Sequence, residues 1–414
     1  MIRPWLFLSR KIKIILLPLI TAILTAVYVE MDKFFLTEFI PDPLVFSFLS
    51  LWLGSFAMVF FMLIMRFPLR RDQLIGEYLD PNFQGLFVPK GKILFWILIA
   101  GISGAFSSFT YFHLVASTNP SLVIPFSRLL IVYLLILESV SDRDIPTIIE
   151  VQSVILILAG VFLMASSELA FNPLTLILVI GPYNVSNLVF TIALRNAKKK
   201  IYMNRKTDSL NIRLWVLIFN SIFTSIIFAP LLLTPESIGN ILTLNLPMSI
   251  FIIIDMMVAT FAAITYIRAL GVAKMSIVNS ITAFTVVLGI PFTLIGNLLF
   301  PGSFGTINLT GIFGMITMMG ALLIVTGIVT IAISQVKGYL LIYIDGPADY
   351  VIKKLLKVKG ITSVSAVSGY MMLIAVLKIR SLGKAYRTIV TELEKISGIK
   401  TVRTLTNIKE WEKL

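Results

Sequence analysis

Cysteine is absent from this 414-residue chain, and histidine occurs once, as His113. The lack of cysteine excludes disulfides, cysteine-ligated zinc and thiol catalysis. One histidine leaves no histidine-based metal site and argues against a Ser-His-Asp triad. Charge is scarce as well, because Asp, Glu, Lys and Arg form 14% of the residues, where a soluble domain carries about a quarter. An ordinary cytosolic enzyme and a disordered protein are therefore not expected.

Hydrophobic residues, by contrast, make up 57% of the chain, much of it in long uninterrupted runs. A helix needs about 20 apolar residues to cross about 30 Å of hydrocarbon. This criterion predicts ten membrane-spanning helices, at 12–29, 44–65, 93–114, 121–138, 148–166, 174–194, 213–234, 248–268, 276–298 and 309–333.

The basic residues predict how these helices are oriented. The chain has 35 Lys and Arg against 21 Asp and Glu. With the N-terminus in the cytoplasm, the basic loops fall on the cytoplasmic side, including the dense loop from Arg195 to Arg213, whereas the alternate loops hold a single basic residue, Lys33. This asymmetry follows the positive-inside rule. We therefore expect a cell-membrane protein with both termini in the cytoplasm and its basic excess facing the inner leaflet, rather than a nucleic-acid-binding protein.

The composition changes after Ser334, which predicts a second domain. Strands are expected at Gly338–Asp345, Ile361–Ser368, Tyr370–Ile379 and Ile399–Thr406, with helices at Pro347–Lys357 and from Ser381 to about Ile396. The order β-α-β-β-α-β is that of a ferredoxin-like fold. The predicted fold is thus an all-α bundle of ten transmembrane helices over 1–335, with halves at about 1–168 and 169–335, and a small α+β cytoplasmic domain over 336–414.

The membrane part contains an internal repeat. Residues 111–129 align without gaps with residues 266–284, so that Tyr111 matches Tyr266. Both stretches join the third and fourth spans of a five-span half. An odd number of spans per half requires the halves to be inverted relative to each other. Inverted repeats are common in secondary transporters, whose substrate site lies between them near the midplane.

The junction YFHLVASTNPSLVIPFSRLLIVYLLILES resembles the third-to-fourth helix signature of the EamA-like branch of the drug/metabolite transporter superfamily. The matching positions are Tyr111, Ala116, Ser117, Pro125 and Glu138, with Tyr266, Ala269, Leu270, Gly271 and Ala273 kept in the second half. The second half lacks the matching Pro and Glu. The resemblance covers about residues 14–334. It implies a 5+5 bundle that moves small metabolites, with the fifth and tenth helices peripheral and the others around a central cavity.

The tail resembles the ligand-sensing domain of Lrp/AsnC-type regulators. The similarity rests on the Val367-Ser368-Gly369 turn and the closing Gly398-Ile399-Lys400-Thr401. The resemblance implies pairing of two chains through the sheet. The family usually has an acid three residues after the turn glycine, where this chain has Met372, so amino-acid sensing is not implied. The DNA-binding half of those regulators is absent from this sequence, so DNA binding is not implied either.

Two charges fall inside predicted spans. A charge at the centre of a membrane helix costs about 2.5–3.5 kcal/mol on insertion scales, so it is seldom kept without a partner or water. Arg128 and Asp255 each lie seven residues from the outer start of their helix, about 10 Å deep. Three interpretations stay open: a buried Arg128–Asp255 ion pair that locks the halves, a cavity-facing pair that binds a zwitterion or exchanges partners, or misplaced span ends.

Other acids and prolines carry weaker predictions. Glu138 lies at the inner end of the fourth span, where it is an interfacial acid or a proton-handling gate. Glu30 and Asp32 follow the first span and are expected in a solvated loop, with an outer gate as the alternative. Pro125 and Pro291 are expected to kink the fourth and ninth helices.

Polar side chains inside the spans form a second group of candidates. Asn184 and Asn187 share one face of the sixth helix, and Asn184 is the more central of the two. Asn184 and Asn279 are candidates for substrate contact, with interhelical hydrogen bonding as the alternative. Tyr111 and Tyr266 are expected either in the aromatic belt or, by repeat symmetry, at a gate.

These features predict a secondary transporter of a small metabolite, plausibly an amino acid or related compound, that works without a cofactor. The cytoplasmic domain would dimerise or regulate it. A membrane sensor or scaffold that binds a small ligand without moving it is the alternative. An intramembrane enzyme is not expected, because no two of the candidate acid or base groups Asp255, Glu138 and His113 are placed as a pair.

Overall fold

The architecture comes from a computed structural model, which describes residues 10–70, 73–117, 127–141, 148–166, 177–242, 244–304, 311–333, 336–356, 358, 361–367, 371–379, 393–394 and 396–406. The chain folds as two compact units. The first comprises Met1–Leu134 and Val154–Ala332, and the second comprises Leu135–Ser153 and Ile333–Leu414. The second unit therefore includes Leu135–Ser153 in addition to the expected tail.

Seven helical stretches in the described part are long and apolar enough to cross a membrane: Ile12–Glu38, Pro43–Met65, Gly91–Ala116, Ser209–Ile227, Leu246–Val272, Met275–Leu299 and Gly311–Thr330. They make the chain a multi-pass membrane protein built mainly of α-helices. The full helices are α1 (Arg10–Glu38), α2 (Pro43–Met65), α4 (Gly91–Ser117), α8 (Ser209–Ile227), α11 (Leu246–Val272), α12 (Met275–Thr282), α13 (Phe284–Leu299) and α14 (Gly311–Ile333).

Shorter helices lie within the other three predicted spans. These are α5 (Leu130–Ser141), α6 (Ile148–Ser166), and a π-helical turn at Val179–Tyr183 that continues into α7 (Asn184–Lys199). Pro182 lies inside the π turn, where its missing N–H and its ring interrupt regular α-helical bonding. Residues 121–126 and 174–176, with which the predicted fourth and sixth spans begin, lie outside the described part.

Helix ends follow local capping signals. Asp42 accepts hydrogen bonds from the backbone N–H groups of Leu44 and Val45 at the start of α2, and Asn245 accepts one from Met248 at the start of α11. Such caps satisfy backbone donors that have no partner inside the helix. The predicted seventh span, 213–234, is displaced. The helix starts four residues earlier, after Asp208, and ends at Ile227, where α9 (Ala229–Leu232) and α10 (Pro235–Leu242) follow.

Helix packing in the first unit has a pairwise pattern. Helix α1 packs against α11 and α13, α4 packs against α7 and α8, and α2 packs against α8 and α11. Helices α1 and α2, in the predicted first and second spans, both pack against α11 in the eighth. Helices α7 and α8, in the sixth and seventh spans, both pack against α4 in the third. The same packing therefore recurs when the two halves are exchanged.

Small elements cover one end of these helices. The strands β1 (Pro68–Arg70) and β2 (Gln73–Leu74) form a hairpin ahead of α3 (Gly76–Leu79), and β3 (Ile201–Tyr202) pairs with β4 (Arg205–Lys206). Between β3 and β4, Met203 and Asn204 have φ of 45° and 64°. Such left-handed residues are those that a two-residue type I′ hairpin turn requires.

The tail of the second unit forms a four-stranded antiparallel sheet. The strands are β5 (Val336–Ile344), β6 (Ile361–Val367), β7 (Met372–Ile379) and β8 (Ile399–Thr406), in the order β6-β7-β5-β8. Helix α15 (Ala348–Leu355) joins β5 to β6, and its Val351 and Leu355 pack with Leu340, Ile342 and Leu373 of the sheet. The four predicted strands and the first helix are confirmed. Most of the helix predicted from Ser381 lies outside the described residues.

Candidate functional site

A polar cavity of about 290 Å³ lies among the helices of the first unit. Residues of α1, α2, α4, α7, α8, α11 and α12 line it, together with Tyr183 and the segment from Ser127 to Leu130. Among the described residues, none of the lining comes from α6 or α14, the predicted fifth and tenth spans. The volume lies near the lower end of the range of small-molecule pockets, about 300–1,000 Å³. The cavity therefore suits a small solute.

Two aspartates from opposite halves of the chain meet in the cavity wall. Asp32 on α1 and Asp255 on α11 are both buried, and their carboxyl groups lie within hydrogen-bonding reach of each other. The hydroxyl of Tyr111 donates a hydrogen bond of 2.9 Å to Oδ2 of Asp32. Neither carboxyl oxygen of Asp255 receives a hydrogen bond from the described residues. This arrangement can hold a proton or a positively charged group.

Arg128 supplies positive charge to the same cavity. Its Nε is buried and has no hydrogen-bond partner within the described part of the chain. Tyr28, Tyr183 and Tyr266 lie close enough to interact with its charge. Tyr28 and Tyr183 also interact with the charge on Asp32, so these two tyrosines link the basic and acidic parts of the wall.

The two tyrosines that the repeat matches occupy related positions. Tyr111 on α4 bonds to Asp32 on α1, the first predicted span of its own half. The hydroxyl of Tyr266 on α11 lies 3.0 Å from that of Thr191 on α7, the first predicted span of the second half. Nδ2 of Asn279 donates to the hydroxyl of Tyr266 at 3.0 Å. Both tyrosines and these partners line the cavity, so neither tyrosine belongs to an aromatic belt alone.

The structure separates the two asparagines of the sixth helix. Asn184 is fully buried and outside the cavity lining. Its Oδ1 accepts from the backbone N–H of Leu130, and its Nδ2 donates to the carbonyl of Val179. Asn187 instead lines the cavity and accepts a hydrogen bond of 2.9 Å from Ser107. Asn184 therefore has the structural role that was its alternative interpretation, and Asn187 takes the cavity position.

Two further expectations need correction. Arg128 and Asp255 line one cavity, but no ion pair joins them among the described residues, because the neighbour of Asp255 is Asp32. Glu30 and Asp32 do not lie in a solvated loop, since α1 continues to Glu38 and both side chains are buried. Oε1 of Glu30 accepts a hydrogen bond of 2.8 Å from Thr293 on α13. The acid that adjoins Asp255 is thus Asp32, which was not among the candidate acid or base groups considered with Asp255, Glu138 and His113.

The other candidates lie away from the cavity lining. Glu138 is buried on α5, in the second unit. His113 is exposed, and its ring lies 6.3 Å from that of Phe109. Pro291 lies inside α13, which is one helix from Phe284 to Leu299, and the break in the predicted ninth span lies at Ala283, between α12 and α13. Pro125 lies outside the described residues.

The end of the bundle near β3 and β4 is held by a buried ion pair. Nζ of Lys198 lies 2.6 Å from Oδ2 of Asp80, which also accepts from the backbone N–H of Ser209 at 2.7 Å. Burial opposes ionisation of Asp80, but the charge of Lys198 and these hydrogen bonds outweigh it and hold the pKa of Asp80 well below its usual range. Lys198 is therefore a structural residue as well as part of the basic loop.

Arg213 also departs from its expected place in that loop. It lies on α8, lines the cavity, and donates from Nη2 to the hydroxyl of Thr260 at 3.5 Å. In the described part of the chain, no three His, Asp or Glu side chains converge in a way that could hold a metal ion.

Comparison with known proteins identifies no family. No family model matches the chain, and no curated protein matches it. One solved crystal structure, described only as that of a protein, is 12% identical with a TM-score of 0.48, and the match covers 77% of this chain and 95% of the other. A similarity at this level carries no conclusion about fold or function.

Proposed function

We propose that this protein is a secondary transporter of a small metabolite, of amino-acid size, that works by alternating access of two halves. The observation that carries the proposal is the cavity itself. It lies between helices of both halves and presents an acidic pair, an arginine with an unpartnered Nε, and several tyrosine and amide groups. Such convergent polar groups in an otherwise apolar bundle are typical of solute sites in transporters.

Contacts in the first unit support ten spans rather than seven. Asp80 and Lys198 touch, so both lie on one side of the membrane and an even number of crossings separates them. Helix α4 is the one long apolar helix between them. An odd number of the segments containing α5, α6 and α7 must then also cross, and three crossings agree with the sequence. The contact of Ser237 with Asp42 imposes the same requirement.

The recurrence of helix packing and of the Tyr111 and Tyr266 positions supports inverted 5+5 halves. This is the arrangement implied by the resemblance to the EamA-like branch of the drug/metabolite transporters. We place both termini in the cytoplasm on the distribution of basic loops.

We propose that the tail is a ferredoxin-like domain of the Lrp/AsnC type that pairs two chains. The strand order β6-β7-β5-β8 supports this, because a split β-α-β fold places its first and third strands at the centre. Sedimentation of the full-length protein in detergent tests the pairing, with a dimer expected. A monomer at all concentrations would contradict it.

The transport proposal is tested in two steps. A thermal-shift screen of small metabolites identifies a ligand, and reconstituted vesicles then measure uptake of that ligand in labelled form. Arg128→Gln should lower uptake at least about tenfold, because losing one partner of a buried charged contact costs about 2–5 kcal/mol. Arg205→Gln, on the exposed β4, is the matched control and should behave as the parent.

Two other outcomes have defined meanings. Binding without flux would favour the alternative, a membrane sensor or scaffold. Recovery of the solute in a chemically altered form would favour an intramembrane enzyme and would contradict the transport proposal.

A further inference from the structure

The transport proposal uses the Asp32–Asp255 pair as part of the cavity wall but does not address its protonation. Asp32 comes from the first half and Asp255 from the second, and the two carboxyl groups adjoin each other in the cavity wall. The role of this cavity as a solute site rests on the proposed function, whereas the protonation of the pair follows from its own surroundings.

No positive side chain balances the pair among the described residues. Both oxygens of Asp255 lack a hydrogen-bond donor, and the donor to Asp32 is the neutral hydroxyl of Tyr111. Two carboxylates in contact, removed from water, repel each other strongly, whereas one proton shared between them replaces repulsion with a hydrogen bond.

The neighbouring charged groups are engaged elsewhere. On α1, Glu30 accepts from Thr293, and Nζ of Lys33 donates to the carbonyl of Val115 at 3.0 Å. On α8, Arg213 donates from Nη2 to Thr260 at 3.5 Å, and its Nε has no hydrogen-bond partner among the described residues. The charge of Arg128 interacts with Tyr183, Tyr28 and Tyr266. Within the described part of the chain, Arg128 and Arg213 line the same cavity, but no protein cation interacts directly with the pair.

We propose that Asp32 and Asp255 hold a single shared proton in the empty cavity and release it when the amino group of a zwitterionic solute binds. Before binding, the pair with its proton carries one negative charge. After binding, two carboxylates and one ammonium group carry the same total charge, and the proton has left to water. The net charge of the wall is thus unchanged by the exchange, so binding of the ammonium group adds no further buried charge at this end of the cavity.

Arg128 defines the other end of the solute. Its fork of N–H groups matches a carboxylate, and its unpartnered Nε is available for one. Tyr28 and Tyr183 lie in the field of both Arg128 and Asp32, so a solute spanning the two ends passes these rings. The cavity therefore selects for an α-amino acid or a similar zwitterion over a simple amine or a simple carboxylate.

Proton release on binding tests the proposal directly. Purified full-length protein in weakly buffered detergent solution at neutral pH is mixed with an equimolar mixture of the neutral amino acids, and released protons are counted with a pH-indicating dye. We expect about one proton per bound molecule. The same mixture lacking the amino groups, as the corresponding carboxylic acids, should release none.

Variants locate the proton. Asp32→Asn and Asp255→Asn should each abolish the release, and each should remove the infrared carbonyl band of a protonated carboxyl group that titrates in the parent. Glu30→Gln is the matched control, because Glu30 is a buried acid on the same helix that does not line the cavity. Its variant should keep both signals.

The possible failures are distinguishable. Absence of amino-acid binding, binding without proton release, or release that survives both asparagine variants would each overturn the inference. Flux of a ligand in vesicles with no proton release would support the transport proposal and contradict the proton exchange. Proton release from the pair without flux would support the proton exchange and contradict the transport proposal.

Discussion

At the scale of single residues, Asp80 and Lys198 join the segment after α3 to the last turn of α7, far apart in the sequence. Both side chains are buried, and breaking such a pair leaves one charge uncompensated. We expect Asp80→Asn and Lys198→Met each to destabilise the protein by about 3–5 kcal/mol. The double variant should lose clearly less than the sum of the two. Thermal denaturation in detergent measures all three.

Lys199→Met is the matched control for this cycle, because Lys199 is the exposed neighbour on the same helix. Its cost should be within about 0.5 kcal/mol. Equal melting of Asp80→Asn and Lys199→Met would contradict the structural role of the ion pair.

Asp208, the N-cap of α8, predicts a pH dependence of stability. Burial, reinforced by the charge of Asp80 against the hydrogen bonds from Asn211, raises the pKa of Asp208 to about 6. An unfolded aspartate titrates near about 3.9, so between these values the folded protein holds a proton that the unfolded chain releases. Stability should therefore fall as pH rises from about 4 to about 6, by about 3 kcal/mol for a shift of about two units.

Asp208→Asn should flatten that decline in melting temperature, because the amide does not titrate. Asp42→Asn is the control, since Asp42 is also an N-cap aspartate but is only half-buried. That variant should keep the slope of the parent, and a flat profile in the parent itself would show the prediction to be wrong.

The sequence identifies site residues where a charged side chain interrupts an otherwise apolar run. Arg128 and Asp255 are conspicuous because each interrupts an apolar run, and both line the cavity. Asp32 escapes such a search because it follows an apolar run beside Glu30, a pattern equally typical of a loop. Asn184 and Asn187 share a helix face, so only the packing of α5 and α4 against that face distinguishes the structural residue from the cavity residue.

At the scale of elements, glycines determine how closely α6 and α14 approach. A Cβ built on Gly160 would lie 2.4 Å from the carbonyl oxygen of Gly320, and one on Gly320 would lie 2.6 Å from that of Gly160. Such mutual contact of small residues allows close packing of membrane helices. Gly320 therefore serves packing of α14 against α6 within the chain.

Gly160→Ala should force these two helices apart, because the obstructing atom is backbone and cannot rotate away. We expect a loss of about 1–3 kcal/mol, measured as a lower melting temperature in detergent. Gly239→Ala is the control. It lies in α10 with no atom within 4 Å of the added carbon, so it should be neutral or slightly stabilising. Similar effects at both positions would contradict the close crossing.

Element boundaries are predictable where a cap or a change of composition marks them. The strands of the tail agree with the sequence because alternation and flanking glycines are local signals. The start of α8 also has such a cap, Asp208, but Arg213 has the character of a loop residue and places the predicted start too late. In the structure the guanidinium of Arg213 reaches Thr260 on α11 and lines the cavity.

At the scale of the whole molecule, the contacts between loops limit the number of crossings. Hydropathy and length identify seven long helices, but seven crossings would place Asp80 and Lys198 on opposite sides of the membrane, since only α4 of the seven lies between them. Composition does not decide how many of the segments containing the shorter helices α5, α6 and α7 cross the membrane. The contact between Asp80 and Lys198 indicates that this number is odd.

The chain's lack of cysteine makes this arrangement directly testable. Single cysteines at exposed sites report the side on which each lies when cells are treated with a membrane-impermeant maleimide. Gln84→Cys, before α4, and Met203→Cys, between β3 and β4, should both label only after the cells are opened, because Gln84 donates to the Met203 carbonyl on the proposed cytoplasmic side. Tyr350→Cys, on α15 in the tail, should behave in the same way.

Glu236→Cys, on α10 beyond the end of α8, is the matched control and should label in intact cells. Opposite labelling of Gln84→Cys and Met203→Cys would mean that an odd number of helices separates them, which would refute the ten-span arrangement together with the inverted halves. If Gln84→Cys and Met203→Cys both label in intact cells, and Glu236→Cys labels only in opened cells, the inverted halves remain supported but the orientation in the membrane is reversed. The basic loops would then lie outside, against the charge asymmetry from which the orientation was inferred.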